Sequence, residues 1–244
     1  MAPYTMPHTS THRGPHPKDA ELFSPEKIPM LREAVADLSL LMERGYASKS
    51  SLELVGNHFQ LHERQRVAVA RCSCGDAALE LRLNKEVSKA KNQTLHLDGY
   101  NIIMLVEAAL GGGVILRARD GALRDLASEH GNFRRVEETG PALELIAQYL
   151  DELRVQNCVW WLDAPVSNSG RLRSLILEVA ASAGREWRVE LVPSADVALK
   201  KLDNEALIST ADSAIMDAVG RWFNLGGGIV ASHVPGAWLV DLSV

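Results

Sequence analysis

Leu95-His96-Leu97-Asp98-Gly99-Tyr100-Asn101 is the stretch on which the fold turns. Leu95 and Leu97 alternate with His96, the pattern of a short half-buried strand. Asp98-Gly99 follows at the strand end, and a helix is read from about Asn101. The same rhythm recurs downstream. Cys158–Leu162 precedes a helix from about Ser169, Trp187–Val192 one from about Ala195, and Ala206–Ser209 one from about Ser213, with Gly228–Ala231 as a last strand. This β-α alternation predicts an α/β domain with a mostly parallel sheet, and right-handed crossovers place helices on both faces. Pro141–Leu153 reads as a further helix and Trp238–Leu242 as an added edge strand. Residues 111–139 break the rhythm. They hold Gly111-Gly112-Gly113, the arginines 117, 119, 124, 134 and 135, and a matching set of acids that includes Glu129, and they read as an irregular insert or hairpin.

Upstream of that domain the spacing is helical. Ser24-Pro25 is a helix start, Ile28, Leu31, Val35 and Leu38 follow, and Gly45 ends the segment. A second helix runs from Ser48 to about Gly56, and a third from about Leu61 to Arg71. Three short helices on tight turns make a helix-turn-helix-like unit. Arg64 and Arg71 share a face of the third, which reads either as a basic recognition helix or as a solvated face. Residues 76–92 are charged and read as a connector. Residues 1–20 read as a disordered tail, because Pro3, Pro7, Pro15 and Pro17 forbid the helix that would align His8, His12 and His16 for a metal. The expected division is therefore a tail over 1–20, a small all-helical domain with connector over 21–92, and the α/β domain over 93–244.

Of 244 residues, 46% are hydrophobic and 23% charged. A chain of that kind buries a real core without staples. Cys72, Cys74 and Cys158 are too few and too oddly spaced for a disulfide framework, and they suit a reducing compartment. No apolar run is long enough to span a membrane, and the N-terminus lacks a signal peptide's apolar stretch. A cytoplasmic protein with no membrane association is expected, and a homodimer is left open. The net charge of −5 argues against nucleic-acid binding by bulk charge, and the acid surplus lies in residues 91–244.

The placement of those acids matters more than their number. Ligands of open parallel sheets bind outside the carboxyl ends of the strands. There the sequence reads Leu97-Asp98-Gly99, Leu162-Asp163-Ala164, Ser194-Ala195-Asp196 and Ala211-Asp212-Ser213. Taken singly, Asp196 and Asp212 read equally well as helix caps. Clustered, the four carboxylates repel one another unless a cation neutralises them. An oxygen-rich set suits Mg²⁺ or Mn²⁺, ions that activate water and support in-line phosphoryl displacement. The chemistry indicated is phosphodiester hydrolysis. Ser167, Asn168, Ser169 and Arg171 form either a phosphate-binding turn or a simple helix start. Ser209 and Thr210 are candidates to position phosphate. Asn101 either steadies the Asp98 loop, touches phosphate or caps a helix. Arg117 and Arg119 supply either a cationic surface for RNA or ordinary ion pairs. His96 lines a polar pocket or packs. There is no P-loop and no G-x-S-x-G elbow, and Asp163-Ala164-Pro165 lacks the second acid of an Asp-x-Asp phosphatase signature.

Asp98-Gly99-Tyr100-Asn101 resembles the opening motif of the NYN ribonuclease domains, relatives of the PIN nucleases. Ala195-Asp196-Val197-Ala198-Leu199 resembles their helix-borne acid motif. Ile208-Ser209-Thr210-Ala211-Asp212-Ser213-Ala214 resembles their strand-four motif, which usually reads Ser-Gly-Asp-Ser-Asp. The likeness covers about residues 94–231. It implies a Rossmann-like three-layer domain, metal held by Asp98, Asp196 and Asp212, and RNA as substrate. Ala214 departs from the pattern, since an acid normally stands there. Asp217 is an imperfect substitute, roughly 140° around the helix from Asp212, and Asp163 is the preferred extra ligand or water-orienting base. The same departure supports an alternative, a catalytically inactive PIN-like module that binds nucleic acid or protein. The whole chain also resembles an uncharacterised prokaryotic family joining a helical N-terminal domain of unknown function to a PIN-like domain. Phe23-Ser24-Pro25, Asp37-Leu38, Arg44-Gly45-Tyr46, Arg64-Gln65-Arg66 and Pro165-Val166-Ser167-Asn168-Ser169-Gly170-Arg171 carry that likeness.

Overall fold

In the computed structural model, which describes residues 12–126 and 135–244, strand β1 (Thr94–Asp98) is the middle of a five-stranded parallel sheet. β4 (Asn157–Asp163) and then β5 (Arg188–Val192) lie on one side of it, and β6 (Leu207–Ser209) and then β7 (Arg221–Trp222) on the other. Asp98 pairs in register with Trp161, and Leu97 with both Trp160 and Ser209. The chain builds outward from β1 to β5 and then returns to β6 across β1, so the order reverses there. Such a reversal opens a crevice at the strand ends.

Helices cover both faces. α6 (Gly99–Leu110), α7 (Thr139–Glu152) and α8 (Ser169–Ser182) share one core with Leu95, Leu97, Trp160 and Leu162. α9 (Ala195–Leu199) and α10 (Ser213–Ala218) cover the other face around Ile208 and Trp222. Gly99 is required at the first of these crossings. A Cβ there would stand 3.0 Å from the Trp161 carbonyl oxygen and closer still to Leu162. α6 is apolar almost all round and accordingly buried all round, its second face closing on a small three-stranded sheet. That sheet runs β3 (Leu123–Asp125), β2 (Val114–Arg117), β8 (Trp238–Asp241). The expected hairpin in the insert is thus present as antiparallel β2 and β3. Glu129 and Arg134 of that insert, and residues 1–11, lie outside the described residues.

α2 (Ile28–Glu43), α3 (Ser48–His58) and α4 (Glu63–Cys72) form the helical region. A 3₁₀ turn, Pro25–Lys27, leads into α2. Leu31, Val35 and Leu38 of α2 and Val69 of α4 share one core with Leu116 and Val240 of the small sheet and with Leu242 just past β8. Helices and α/β part are therefore held together by apolar packing, the dominant favourable contribution to folding.

Four expectations need correction. Gly228–Ala231 is not a strand. It lies in α11 (Leu225–His233), where the Asn224 side chain accepts from the Gly227 N–H at 3.0 Å and caps the helix. The bare Gly226 lets α11 press against Leu105 of α6. β8 adds to the small sheet, not to the edge of the main one, because it pairs with β2. The connector contains a helix, α5 (Asp76–Lys85), held by an ionic network around its buried Arg82. The segment from residue 12 onward is not a tail. Asp19, in α1 (Asp19–Leu22), is fully buried and takes both Nε and Nη2 of Arg64, at 2.7 and 2.8 Å. Arg13 reaches the buried Glu107 at 2.9 Å.

Among the described residues no helix is long and apolar enough to cross a membrane.

Candidate functional site

The reversal of strand order opens a cavity of about 750 Å³ between the α/β part and the helical region. Asp98, Asp163, Asp196 and Asp212 all line it. Three of the four are placed by local hydrogen bonding. Asp98 ends β1 and is only 7% exposed. The Thr210 hydroxyl donates to its Oδ2 at 2.7 Å and itself accepts from the Asp212 N–H at 3.0 Å. Asp212 caps α10, with Oδ1 accepting from the N–H groups of Ala214 and Ile215 at 2.8 and 3.0 Å. Asp163 ends β4, and its Oδ1 accepts from the Ala195 N–H at 2.8 Å. Asp196 stands exposed in the first turn of α9, which Ser194 caps.

Burial pushes the Asp98 carboxyl up to about 7, and the charges of Asp196, Asp212 and Asp163 add to the rise against the opposing Thr210 hydrogen bond. Asp196 is raised too, by partial burial first and then by Asp212. Asp98 and Asp196 therefore feel the neighbouring carboxylates across the cavity. Among the described residues, however, no three His, Cys, Asp or Glu side chains stand close enough to enclose a bare ion.

The other sequence candidates divide. Asn101 lines the cavity, and its Oδ1 holds the Ala211 N–H at 2.8 Å. It steadies the loop that carries Asp212. Thr210 positions Asp98, as above. Ser209 is fully buried in β6 and cannot reach a substrate. Ser167, Asn168, Ser169 and Arg171 lie at the start of α8 and do not line the cavity. Ser169 is buried and donates to the Ala164 carbonyl at 3.1 Å. Arg119 lies outside the cavity as well, bound to the Cys74 carbonyl at 2.8 Å and to Asp76 at 2.6 Å. It fastens the helical region to the small sheet. Arg117 approaches Asp241 at 3.8 Å. Asp217 is engaged by the Arg82 guanidinium at 2.6 and 3.0 Å and lies outside the cavity, so it does not stand in for Ala214. His96 accepts from the Trp161 indole N–H at 3.2 Å, and burial, with Arg188 nearby, lowers it from the usual imidazole range. It packs. Buried Cys72 and Cys158 are pushed up to about 12 by desolvation and are no nucleophiles.

Sequence reasoning missed two parts of this site. The first is a buried network behind the Asp212 loop. Asp120 takes both Nη atoms of Arg124 at 2.8 and 2.7 Å and Nη1 of Arg82 at 2.7 Å. Burial alone would raise the Asp120 carboxyl, but the two guanidiniums hold it below the usual range. Arg124 Nε then donates to the Ala211 carbonyl at 2.8 Å, tying the Thr210–Asp212 turn to β3. The second is the far wall of the cavity, which comes from α3 and α4 and includes Lys49, Leu52, Arg66, Val67, Ala70 and Arg71. Only Arg71 of these residues is marked by a local pattern, the candidate basic face of the third helix; the rest come together from residues distant in sequence.

A family model described as "Domain of unknown function (DUF5616)" matches residues 87–228, and one described as "Protein of unknown function (DUF434)" matches residues 30–85. The chain is 30% identical over 188 residues to "Uncharacterized protein MJ0935" of Methanocaldococcus jannaschii. That alignment covers 76% of this chain and 88% of the other. No solved structure matches.

Proposed function

The chain belongs to the DUF5616 family, and we propose that its acidic cavity is the active site of a metal-dependent RNA endonuclease of Rossmann-like, three-layer PIN/NYN type. The observation that carries the reading is the placement of Asp98. It is buried at the point where strand order reverses, with Asp163, Asp196 and Asp212 on the same cavity. A carboxyl held near 7 by burial and like charges is a costly arrangement that a divalent cation offsets. Asp98, Asp196 and Asp212, with Asp163, are the residues that would hold Mg²⁺ or Mn²⁺. When bound, such an ion supplies Lewis acidity toward a phosphodiester oxygen and lowers the pKa of water.

The chain's own groups do the rest. Thr210 orients Asp98 through one oxygen, and the helix-start amides orient Asp163 and Asp212. Among the described residues no hydrogen bond occupies Asp98 Oδ1, Asp163 Oδ2 or Asp212 Oδ2. In this reading Asp163 is the group that would accept a proton from water beside the other acids. Asn101 keeps the Asp212 turn in register.

The test is incubation of the full chain with a generic single-stranded RNA in Mn²⁺, in Mg²⁺ and in EDTA. Internal cleavage with either metal and none in EDTA is expected. Equal cleavage in EDTA, or none under any condition, contradicts the reading. Ala214, where the resembled domains carry an acid, favours one second reading, an inactive binding module. That module would bind RNA in all three buffers and cleave in none.

A further inference from the structure

We infer that the helical region is half of the substrate site, with Lys49 as a phosphate-binding side chain for the RNA strand; this rests on the RNA reading above. The cavity has two unlike walls. One is the α/β rim with its four aspartates, and the other is formed by α3 and α4. The second wall carries Lys49, Arg66 and Arg71 against Glu53 and Glu63. Leu52, Val67 and Ala70 stand on the same helical wall as these charges, and Met104 of α6 also lines the cavity. A nucleotide strand whose scissile phosphate sits at the acid rim can rest its unpaired base on these apolar side chains and turn its neighbouring phosphate to the helices.

Lys49 is singled out by what it lacks. Arg66 is spent on structure, bonding the Leu61 carbonyl at 3.1 Å and Asn57 at 2.9 Å. Arg71 donates to the Asp125 carbonyl and stands 3.6 Å from its carboxylate. Lys49 is exposed and forms no ion pair among the described residues, not even with Glu53 one turn on. It also sits in the first turn of α3, where the helix dipole opposes a positive charge by about 0.3–1 kcal/mol. Lys49 is thus the cation of this wall whose side chain no ion pair or hydrogen bond engages among the described residues, and it lines the same cavity as the four aspartates. Its wall is not free to swing. The core shared by α2, α4 and the small sheet, with Arg119 and the Asp120 network, fixes the helices to the rim. The cavity is thus preformed, at a junction between two parts of the chain, where ligand sites are commonly found.

The test uses the full chain and a fluorescent single-stranded 12-nucleotide RNA, with binding read by anisotropy in Ca²⁺ over a range of salt. Cleavage is read as KM and kcat in Mn²⁺. Lys49→Ala should weaken binding about fivefold and lower the salt slope by about 0.7, the value of one phosphate contact on a single strand. KM should rise with kcat nearly unchanged, and melting temperature should not move. Lys91→Ala, the same charge change at the opposite end of β1, should do none of this. Wild-type binding unaltered by Lys49→Ala overturns this inference and leaves the nuclease reading standing. So does equal weakening by Lys91→Ala. Absence of RNA binding by the wild type overturns both.

Discussion

Asp98→Asn will lower Mn²⁺-dependent RNA cleavage by about 10²–10⁴-fold, the loss of the several kcal/mol of transition-state stabilisation that a held metal ion supplies. The same change will make the protein more stable at alkaline pH. Both follow from one geometry. Asp98 is buried, faces three other carboxylates and has its carboxyl pushed up to about 7. In the unfolded chain an aspartate titrates near 4. Between those values the folded state keeps a proton that the unfolded state has released. Stability is therefore greatest below the unfolded value and falls as pH rises toward 7. Above 7 the folded protein carries an unfavourable buried charge, costing up to about 4 kcal/mol. Asparagine keeps the shape and the Thr210 hydrogen bond but never ionises. Melting curves of both proteins between pH 5 and 8.5, without metal, should superimpose at the acid end and diverge in favour of the variant at the alkaline end. Parallel curves would show that Asp98 is not strained by its surroundings, and undiminished cleavage would remove it from the site.

Asp120→Ala will cost about 3–5 kcal/mol, the usual loss when one partner of a buried ion pair is removed. Asp120 is 1% exposed, and the side chains of Arg82 and Arg124 are 4% and 7% exposed. Removal of the carboxylate leaves two guanidiniums with their shared counter-charge gone. For a chain of this size the melting temperature should fall by roughly 10 °C. Activity should fall as well, because Arg124 Nε holds the Ala211 carbonyl in the turn that carries Thr210 and Asp212. Thermal unfolding and cleavage below the transition separate the two effects. A variant within 1 kcal/mol of wild type would mean that the network does not brace the loop.

Those two residues also show where sequence was legible. β1 and Asp98 stand out because a short alternating run, a turn and a helix follow one another locally. The four aspartates could be assigned to one rim because a parallel sheet puts every strand end on the same side. Asp120 gave no such sign. Its partners are Arg82, in a segment whose charges masked a helix, and Arg124, one of several arginines in an irregular insert. α5 was missed for the same reason, being held by ionic pairs where apolar spacing is weak. β8 was misplaced because its partner β2 lies more than 100 residues earlier, beyond the reach of any local pattern. Arg119 reads either as a cationic surface or as an ordinary ion pair, and its bonds to the Cys74 carbonyl and Asp76 decide for the second. Lys49 was overlooked because nothing in α3 alone reveals that it faces four aspartates across a cavity.

The central claim is that Asp98, Asp163, Asp196 and Asp212 form one divalent-cation site. Calorimetric titration of Mn²⁺ into the full chain at pH 8 tests it most directly, with Asp98→Asn and Asp196→Asn run alongside. Saturable heat in the wild type, lost or weakened at least tenfold in both variants, is the expected result. Heat that is absent from the wild type, or unchanged in both variants, would contradict the account.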